Sequence, residues 1–358
     1  MEKISILFLT RYDRKAASSR YRFLQYIPYL EKEGFSCVVS PLFDENYVNK
    51  FVYFQKINKF EIFKYFINRI QVLFTVHKFK LVILEKELIP YAPALLERIF
   101  SILKISYIVD YDDAIFHQYD CHPNPIVRTI LKKKIAVVMR NARLVIAGNP
   151  YLANYAQQAG AKEVEVIPTV IDINKYPEQR IIKKNNIFTI VWIGSPSTYE
   201  HVEMIMPVLT KISTDNNTKV VLIGPGDRKI NETGIKIQPW SETTEIADLQ
   251  AAHVGIMPLS DNPWARGKCG FKLIQYMACS LPVIASPVGV NTEIIEHGNN
   301  GYLASTNDEW IKYLNLLRQT LDQGKSMGLY GRNKVETNYC IQVTAPRLVE
   351  LFLQIIRN

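Results

Sequence analysis

The stretch WARGKCGFKLIQYMACSLPVIAS, residues 264–286, sets Arg266, Lys268 and Lys272 around Gly267 and Gly270. A helix is predicted to open near Gly270 and to run through Phe271 and Gln275. At such an opening, free backbone N–H groups and the positive end of the helix dipole point the same way. A glycine there lets a ligand come close to the backbone. Cations on the same turn add charge, and together these suit an anion, a diphosphate above all. The plainer alternative is a set of solvated lysines, although lysine against a positive helix end costs a few tenths of a kcal/mol unless an anion offsets it.

Three other groupings could do chemistry. Arg20 and Arg22, in SSRYR after the first apolar run, could bind a donor diphosphate or an acceptor phosphate, or pair with surface acids. VDYDDAIF places Asp110, Asp112 and Asp113 at the end of a predicted strand. Asp112 and Asp113 there could orient an acceptor hydroxyl or take its proton, or could cap a helix or pair with cations. Gly194, Ser195 and Ser197, in GSPST, offer backbone N–H groups and hydroxyls to a phosphate; alternatively Ser197 or Thr198 caps the next helix. His117, His122 and His253 show no ligand spacing, and the five cysteines form no CxxC pair, so no metal site is expected and a reducing compartment fits.

The elements that must carry these residues alternate. ISILFLT, SCVVSP, KLVILEK, SYIVDYD and RLVIAGN in the first half, and FTIVWIG, KVVLIG, VGIMPL and PVIAS in the second, are β-branched runs without a period of two. That pattern marks strands of a parallel sheet covered on both faces. Helical spacing between them makes the fold class α/β, with two doubly wound, Rossmann-like domains and a ligand cleft expected between them at the carboxyl ends of the strands. The expected division is 1–172, a linker at 173–186 that is polar and carries a proline, 187–340, and a C-terminal amphipathic helix at 341–358 that would return to the first domain. A chain of 358 residues accommodates this, and its short N-terminal apolar run reads as a buried strand rather than a signal peptide. No apolar run is long enough to span a bilayer.

The formal charge of +9 implies an anionic partner or a basic proteome. Between residues 50 and 80 seven basic residues face one acid, Glu61, and alternate with Phe51, Tyr53, Phe54, Phe60, Phe63, Tyr65, Phe66 and Phe74. Such a segment suits an anionic bilayer surface, or else is a pair of ordinary helices whose aromatics face the core. Single-stranded nucleic acid would also take cations and aromatics, but no RNA-binding motif accompanies them.

Residues 271–304, FKLIQYMACSLPVIASPVGVNTEIIEHGNNGYLA, resemble the signature of glycosyltransferase family 4. NPYLANYAQQAG, LIGPG and AAHVGIMPL agree with it, and SSRYRFLQYIPYLEKEGF and VDYDDAIF resemble a bacterial branch of that family. The resemblance covers nearly the whole chain. It implies a GT-B fold, a nucleotide-sugar donor as substrate, no cofactor or metal, and transfer with retention of anomeric configuration. The donor contacts expected are Gly194, Ser195, Ser197, Arg266, Lys268, Gly270, Phe271, Lys272 and Gln275; the arginine and lysine that the family often carries near 194–200 are absent here, and Arg266, Lys268 and Lys272 would supply that charge instead. The two glutamates of the family pattern fall at Gly267 and Gln275, so neither carboxylate is present. Gln275 can still accept a hydrogen bond from a ribose.

The expected function is glycosyl transfer from a nucleotide diphosphate sugar to a glycan or polyprenyl-diphosphate-linked acceptor in bacterial surface polysaccharide synthesis. Asp112, Asp113 and Lys268 would be catalytic, and Arg20 and Arg22 would meet acceptor or phosphate. The expected location is cytoplasmic, on the inner face of the membrane. A degenerate relative that binds a nucleotide sugar or a partner enzyme without turnover is one rival reading. A nucleotide-sugar epimerase is another, distinguished by acceptor-independent conversion of the donor.

Overall fold

β-Branched and aromatic runs dominate the buried strands of a computed structural model that describes residues 3–52, 55–178, 187–215, 217–228 and 232–357. The chain divides into two compact units. The first comprises Met1–Val170, Arg266–Cys269 and Thr344–Asn358, and the second Ile171–Ala265 and Gly270–Val343. Residues 179–186 of the expected linker lie outside the described residues; Ile173–Lys175, at its start, forms one 3-10 turn.

The first unit is built on a six-stranded parallel sheet in the order β2-β1-β3-β4-β5-β6. Its strands are β1 Ile4–Leu9, β2 Phe35–Val39, β3 Leu81–Glu85, β4 Tyr107–Tyr111, β5 Leu144–Ala147 and β6 Val164–Val166. β3, β4 and β5 are buried along their whole length, which is why they read as unbroken apolar runs. The chain steps one way from β1 to β2 and the other way from β2 onward. Right-handed crossovers therefore put helices on both faces. The Ile341–Arg357 helix buries Leu348, Leu351 and Phe352 in this unit; Phe352 meets Phe35 edge-on at 6.4 Å.

The second unit repeats the plan, in the order β12-β11-β10-β7-β8-β9. These strands are β7 Phe188–Ile193, β8 Thr218–Ile223, β9 Ile235–Gln238, β10 Val254–Met257, β11 Val283–Ala285 and β12 Gly301–Leu303. β6, β9 and β12 were not among the strands legible in the sequence. All three are short sheet edges, and the residues of β6 and β9 are partly exposed, so their apolar signal is weak. Among the described residues no helix is long and apolar enough to cross a membrane.

Candidate active site

Parallel pairing brings the carboxyl ends of β1, β3, β4 and β5 to one edge of the first sheet. Glu85 pairs with Asp110 across β3 and β4, so Lys86 and the Asp112–Asp113 pair emerge side by side just past the strands. Lys86 takes a left-handed backbone, φ 66°. For a residue with a Cβ this costs about 1–2 kcal/mol. Its Nζ lies 2.9 Å from Asp112 Oδ1 and 3.7 Å from Asp113 Oδ2. Lys268 approaches Asp113 from the other side, Nζ to Oδ1 3.6 Å. The structure thus joins Asp112, Asp113 and Lys268, and adds Lys86, which the sequence did not mark out because it reads as the last residue of the strand KLVILEK.

Hydroxyls complete the cluster. Ser18 Oγ lies 2.6 Å from Asp112 Oδ2 and 2.8 Å from Glu85 Oε1, while Ser19 Oγ donates to Glu85 Oε2 at 2.7 Å. The Arg11 backbone N–H donates to the same Glu85 oxygen at 2.7 Å. Burial alone would raise the Asp112 carboxyl, but the Lys86 ammonium and the Ser18 hydroxyl outweigh it and hold the group down to about 2. Burial would lower the Lys86 ammonium, and Asp112 and Asp113 reverse that, keeping it above its ordinary value. Asp112 is therefore a firmly charged, mostly buried anion, whereas the Asp113 side chain, between Lys86 and Lys268, is 31% exposed.

The segment before the 271–278 helix is held from below. Asn149 caps the Pro150–Gln158 helix by accepting from Leu152 N at 2.9 Å, and its Nδ2 donates to Gly267 O at 2.8 Å. Cys269 Sγ donates to the Asp112 carbonyl at 3.1 Å, and burial pushes its thiol up to about 12. Gly267 packs directly on Ala114: a Cβ at this position would collide with Ala114 Cβ and lie 2.9 Å from Ala114 N. The position the resemblance assigns to a glutamate has no room for a side chain. Lys268 does not stand unpartnered at a helix opening, because Asp113 already neutralises it.

The two arginines of SSRYR are buried. Arg22 grips Asp110 with two N–H groups, at 2.8 Å and 2.5 Å, and donates a third hydrogen bond to Ile167 O at 2.8 Å. Arg20 donates to the Arg14 carbonyl at 3.2 Å and stacks 4.8 Å from the Tyr21 ring centroid. These contacts commit Arg22 to the framework that orients β4. His117 sits one helical turn from Asp120 and Cys121, and the ligand atoms of the three lie within 4.8 Å of one another. The sequence reading found no ligand spacing at His117, and this cluster is an addition to it. The His117 nitrogens are engaged by Asp120 Oδ1 at 2.9 Å and Tyr151 Oη at 2.8 Å. His253 Nδ1 accepts from Thr189 N at 3.0 Å, a framework contact.

In the second unit the Phe271–Ala278 helix opens on Gly270, whose φ of 65° suits glycine. Lys272 Nζ lies 5.8 Å from the Trp192 ring centroid, and Gln275 is buried farther along the helix. Tyr276 locks this helix to the sheet, accepting from Ile193 N at 2.9 Å and donating to Ile256 O at 3.2 Å. After β7, Gly194 leads into a turn that Ser195 and Thr198 close as a reciprocal capping box. Ser195 Oγ and Ser197 Oγ lie 2.9 Å apart. The N-cap of this turn is Ser195, not the Ser197 or Thr198 expected from the sequence, and its N–H is engaged by Thr198 Oγ1 at 3.0 Å.

Residues 187–322 match the family model described as Glycosyl transferases group 1. Spore coat protein SA of Bacillus subtilis is 32% identical over 22% of this chain and 22% of its own length. N-acetyl-alpha-D-glucosaminyl L-malate synthase of Bacillus anthracis is 23% identical over 41% of this chain and 42% of its own. The matched segments thus span well under half of either curated relative. Among solved structures, sucrose-phosphate synthase of Thermosynechococcus elongatus superposes with TM-score 0.73 at 14% identity, over 99% of this chain and 100% of that one. HepE of Anabaena, solved with UDP and glucose, gives 0.71 at 17% identity, over 98% and 100%. Residues 187–322 are therefore similar to glycosyltransferase group 1 domains, and the chain has a two-domain α/β fold of GT-B type.

Proposed function

We propose that this chain is a nucleotide-sugar-dependent glycosyltransferase of family 4 type. It would transfer with retention and without a metal ion, onto a glycan or polyprenyl-diphosphate-linked acceptor in surface polysaccharide synthesis. The observation that carries the reading is the group 1 match over residues 187–322, the span that holds Gly194–Ser197 and Gly270–Gln275. The Ser195–Ser197 turn and the opening of the Phe271–Ala278 helix offer N–H groups and hydroxyls to the donor diphosphate. Lys272, with Arg266 just before the helix in the chain, supplies positive charge, while Lys268 stays paired with Asp113, and Gln275 accepts from the ribose. Negative charge grows on the diphosphate as the sugar–oxygen bond breaks, so these cations act more on rate than on ground-state binding.

Asp113 is the carboxylate we assign to the acceptor hydroxyl. Asp112, held near 2 by Lys86, is too weak a base for that and acts as a positioning residue. The HepE complexes make UDP and UDP-sugars the first compounds to try.

Calorimetric titration with UDP, GDP, ADP, CMP and dTDP compounds and their sugars, in the presence of a chelator, tests the reading. Saturable binding of one nucleotide family, followed by transfer to a lipid-linked or soluble acceptor, supports it. Binding with neither transfer nor hydrolysis favours a second reading, a non-catalytic relative, which the crowded Gly267 position supports. No binding at all, repeated with acceptor and vesicles present, refutes the transferase and leaves only a relative that binds a partner enzyme.

A further inference from the structure

Three helices of the first unit, Lys59–Leu73, Leu95–Ile102 and Pro125–Leu131, lie on one side of its sheet. Each belongs to a connection running the same way along the strand order, and right-handed crossovers put such connections on one face. Their inner sides share one apolar core: Phe66 and Ile70 from the first, Leu96 and Phe100 from the second, Val127 and Leu131 from the third. Their outer sides are therefore turned together to solvent.

Those outer sides are apolar at helical spacing. Phe60, Phe63 and Ile67 are exposed on the first helix, Phe60 by 62%. Leu95, Ile99 and Ile102 form the stripe on the second, with Ile102 exposed by 77%. Ile126 and Ile130 form it on the third, and Phe74 extends the first. Large side chains exposed at helical spacing on three helices that share one core are more than scattered exposure. The charges among them have one sign. Lys59, Lys64, Arg98, Lys104, Lys132 and Lys133 are exposed. The acids of these helices are spent: Glu61 pairs with Lys50 at 2.8 Å, and Glu97 is buried and accepts from Leu88 N at 3.0 Å.

We propose that this three-helix face docks on an anionic lipid bilayer. Phenylalanines and isoleucines would enter the headgroup boundary while the lysine and arginine heads meet lipid phosphates. A second copy of the chain is a poorer occupant, because a self-complementary contact would set like charges against one another. The inference rests on the proposed lipid-linked acceptor for its purpose. Its physical content extends that reading to the Leu95–Ile102 and Pro125–Leu131 helices, which the sequence did not single out.

The test is co-sedimentation of the full chain with phosphatidylcholine vesicles, with and without about 30 mol% phosphatidylglycerol. The variants are Phe63→Ser/Ile102→Ser/Ile130→Ser and, separately, Lys64→Ser/Arg98→Ser/Lys132→Ser. The expected result is binding to the anionic vesicles only, weakened at least about tenfold by either triple variant, and reduced but not abolished at about 0.5 M salt. The exposed positions leave folding intact, checked by circular dichroism. Absence of binding to anionic vesicles, binding unaffected by the apolar variant, or an apolar variant that instead converts a dimer to a monomer in light scattering would each overturn the proposal. Donor turnover on a soluble acceptor without vesicles, measured in parallel, separates the two readings. Wild-type chain that binds vesicles but turns over no donor refutes the transferase and leaves the docking face standing.

Discussion

Replacing Lys86 by methionine keeps the length of the side chain and the left-handed backbone but removes the charge between Asp112 and Asp113. Breaking a buried ion pair from one side costs about 3–5 kcal/mol, because the other charge stays buried. About 2–3 kcal/mol of that corresponds to the Asp112 carboxyl being held near 2 rather than near its unfolded value of about 3.9. For a unit of this size the loss amounts to roughly 10 °C in the melting temperature of the first unit.

The pH dependence gives the experiment its edge. Asp112 has a depressed folded-state pKa, so its contribution is full above about pH 4 and is lost as pH falls toward 2. Lys86 is raised, so its contribution is full below about pH 10 and lost as pH rises through its folded value. The gap between wild type and Lys86→Met should therefore be widest between about pH 5 and pH 9 and should close as pH falls below about 4. Thermal melts by circular dichroism across that range measure it. Lys86→Met/Asp112→Asn should recover much of the loss, since the orphaned charge is gone. A gap that is the same at pH 7 and pH 2, or a double variant no more stable than the single, would refute the ion-pair account in favour of lost packing.

Asp113→Asn should lower kcat by about 100-fold or more while leaving nucleotide affinity by calorimetry within about twofold, if it serves the acceptor hydroxyl. Gly267→Ala should destabilise the first unit by about 1–3 kcal/mol in urea melts, because the new methyl meets the Ala114 backbone and not a flexible side-chain end. Gly267→Glu, which restores the carboxylate of the family pattern, should cost more still and gain no activity. Ser280 holds φ at 55°, so Ser280→Gly should stabilise the second unit by about 0.5–1 kcal/mol, read as a higher urea midpoint at unchanged slope.

The alternation of β-branched runs with helical spacing was enough to specify two parallel α/β sheets, since a strand covered on both faces must be apolar throughout. Val82–Leu84 and Val109, and likewise Ile190–Ile193, show this directly. The helix opening at Gly270 was legible for a similar reason: a positive-φ residue before an apolar periodic run is a local feature. The edge strands β6 and β9 escaped because pairing on one side only relaxes the demand for apolar residues, and β12 because its three residues are too short a run to stand out. Tertiary structure alone decided who meets whom. Lys86 looks like a strand residue until its backbone turns left-handed and delivers its ammonium to carboxylates that lie elsewhere in the chain. Arg22 looks like a ligand-binding arginine until Asp110 occupies its fork. Lys268 looks like an unpartnered cation until Asp113 appears beside it. Sequence patterns carry periodicity and local backbone chemistry because both act over neighbouring residues. The pairing of charges across strand ends depends on register and crossover direction, which exist only once the sheet has formed.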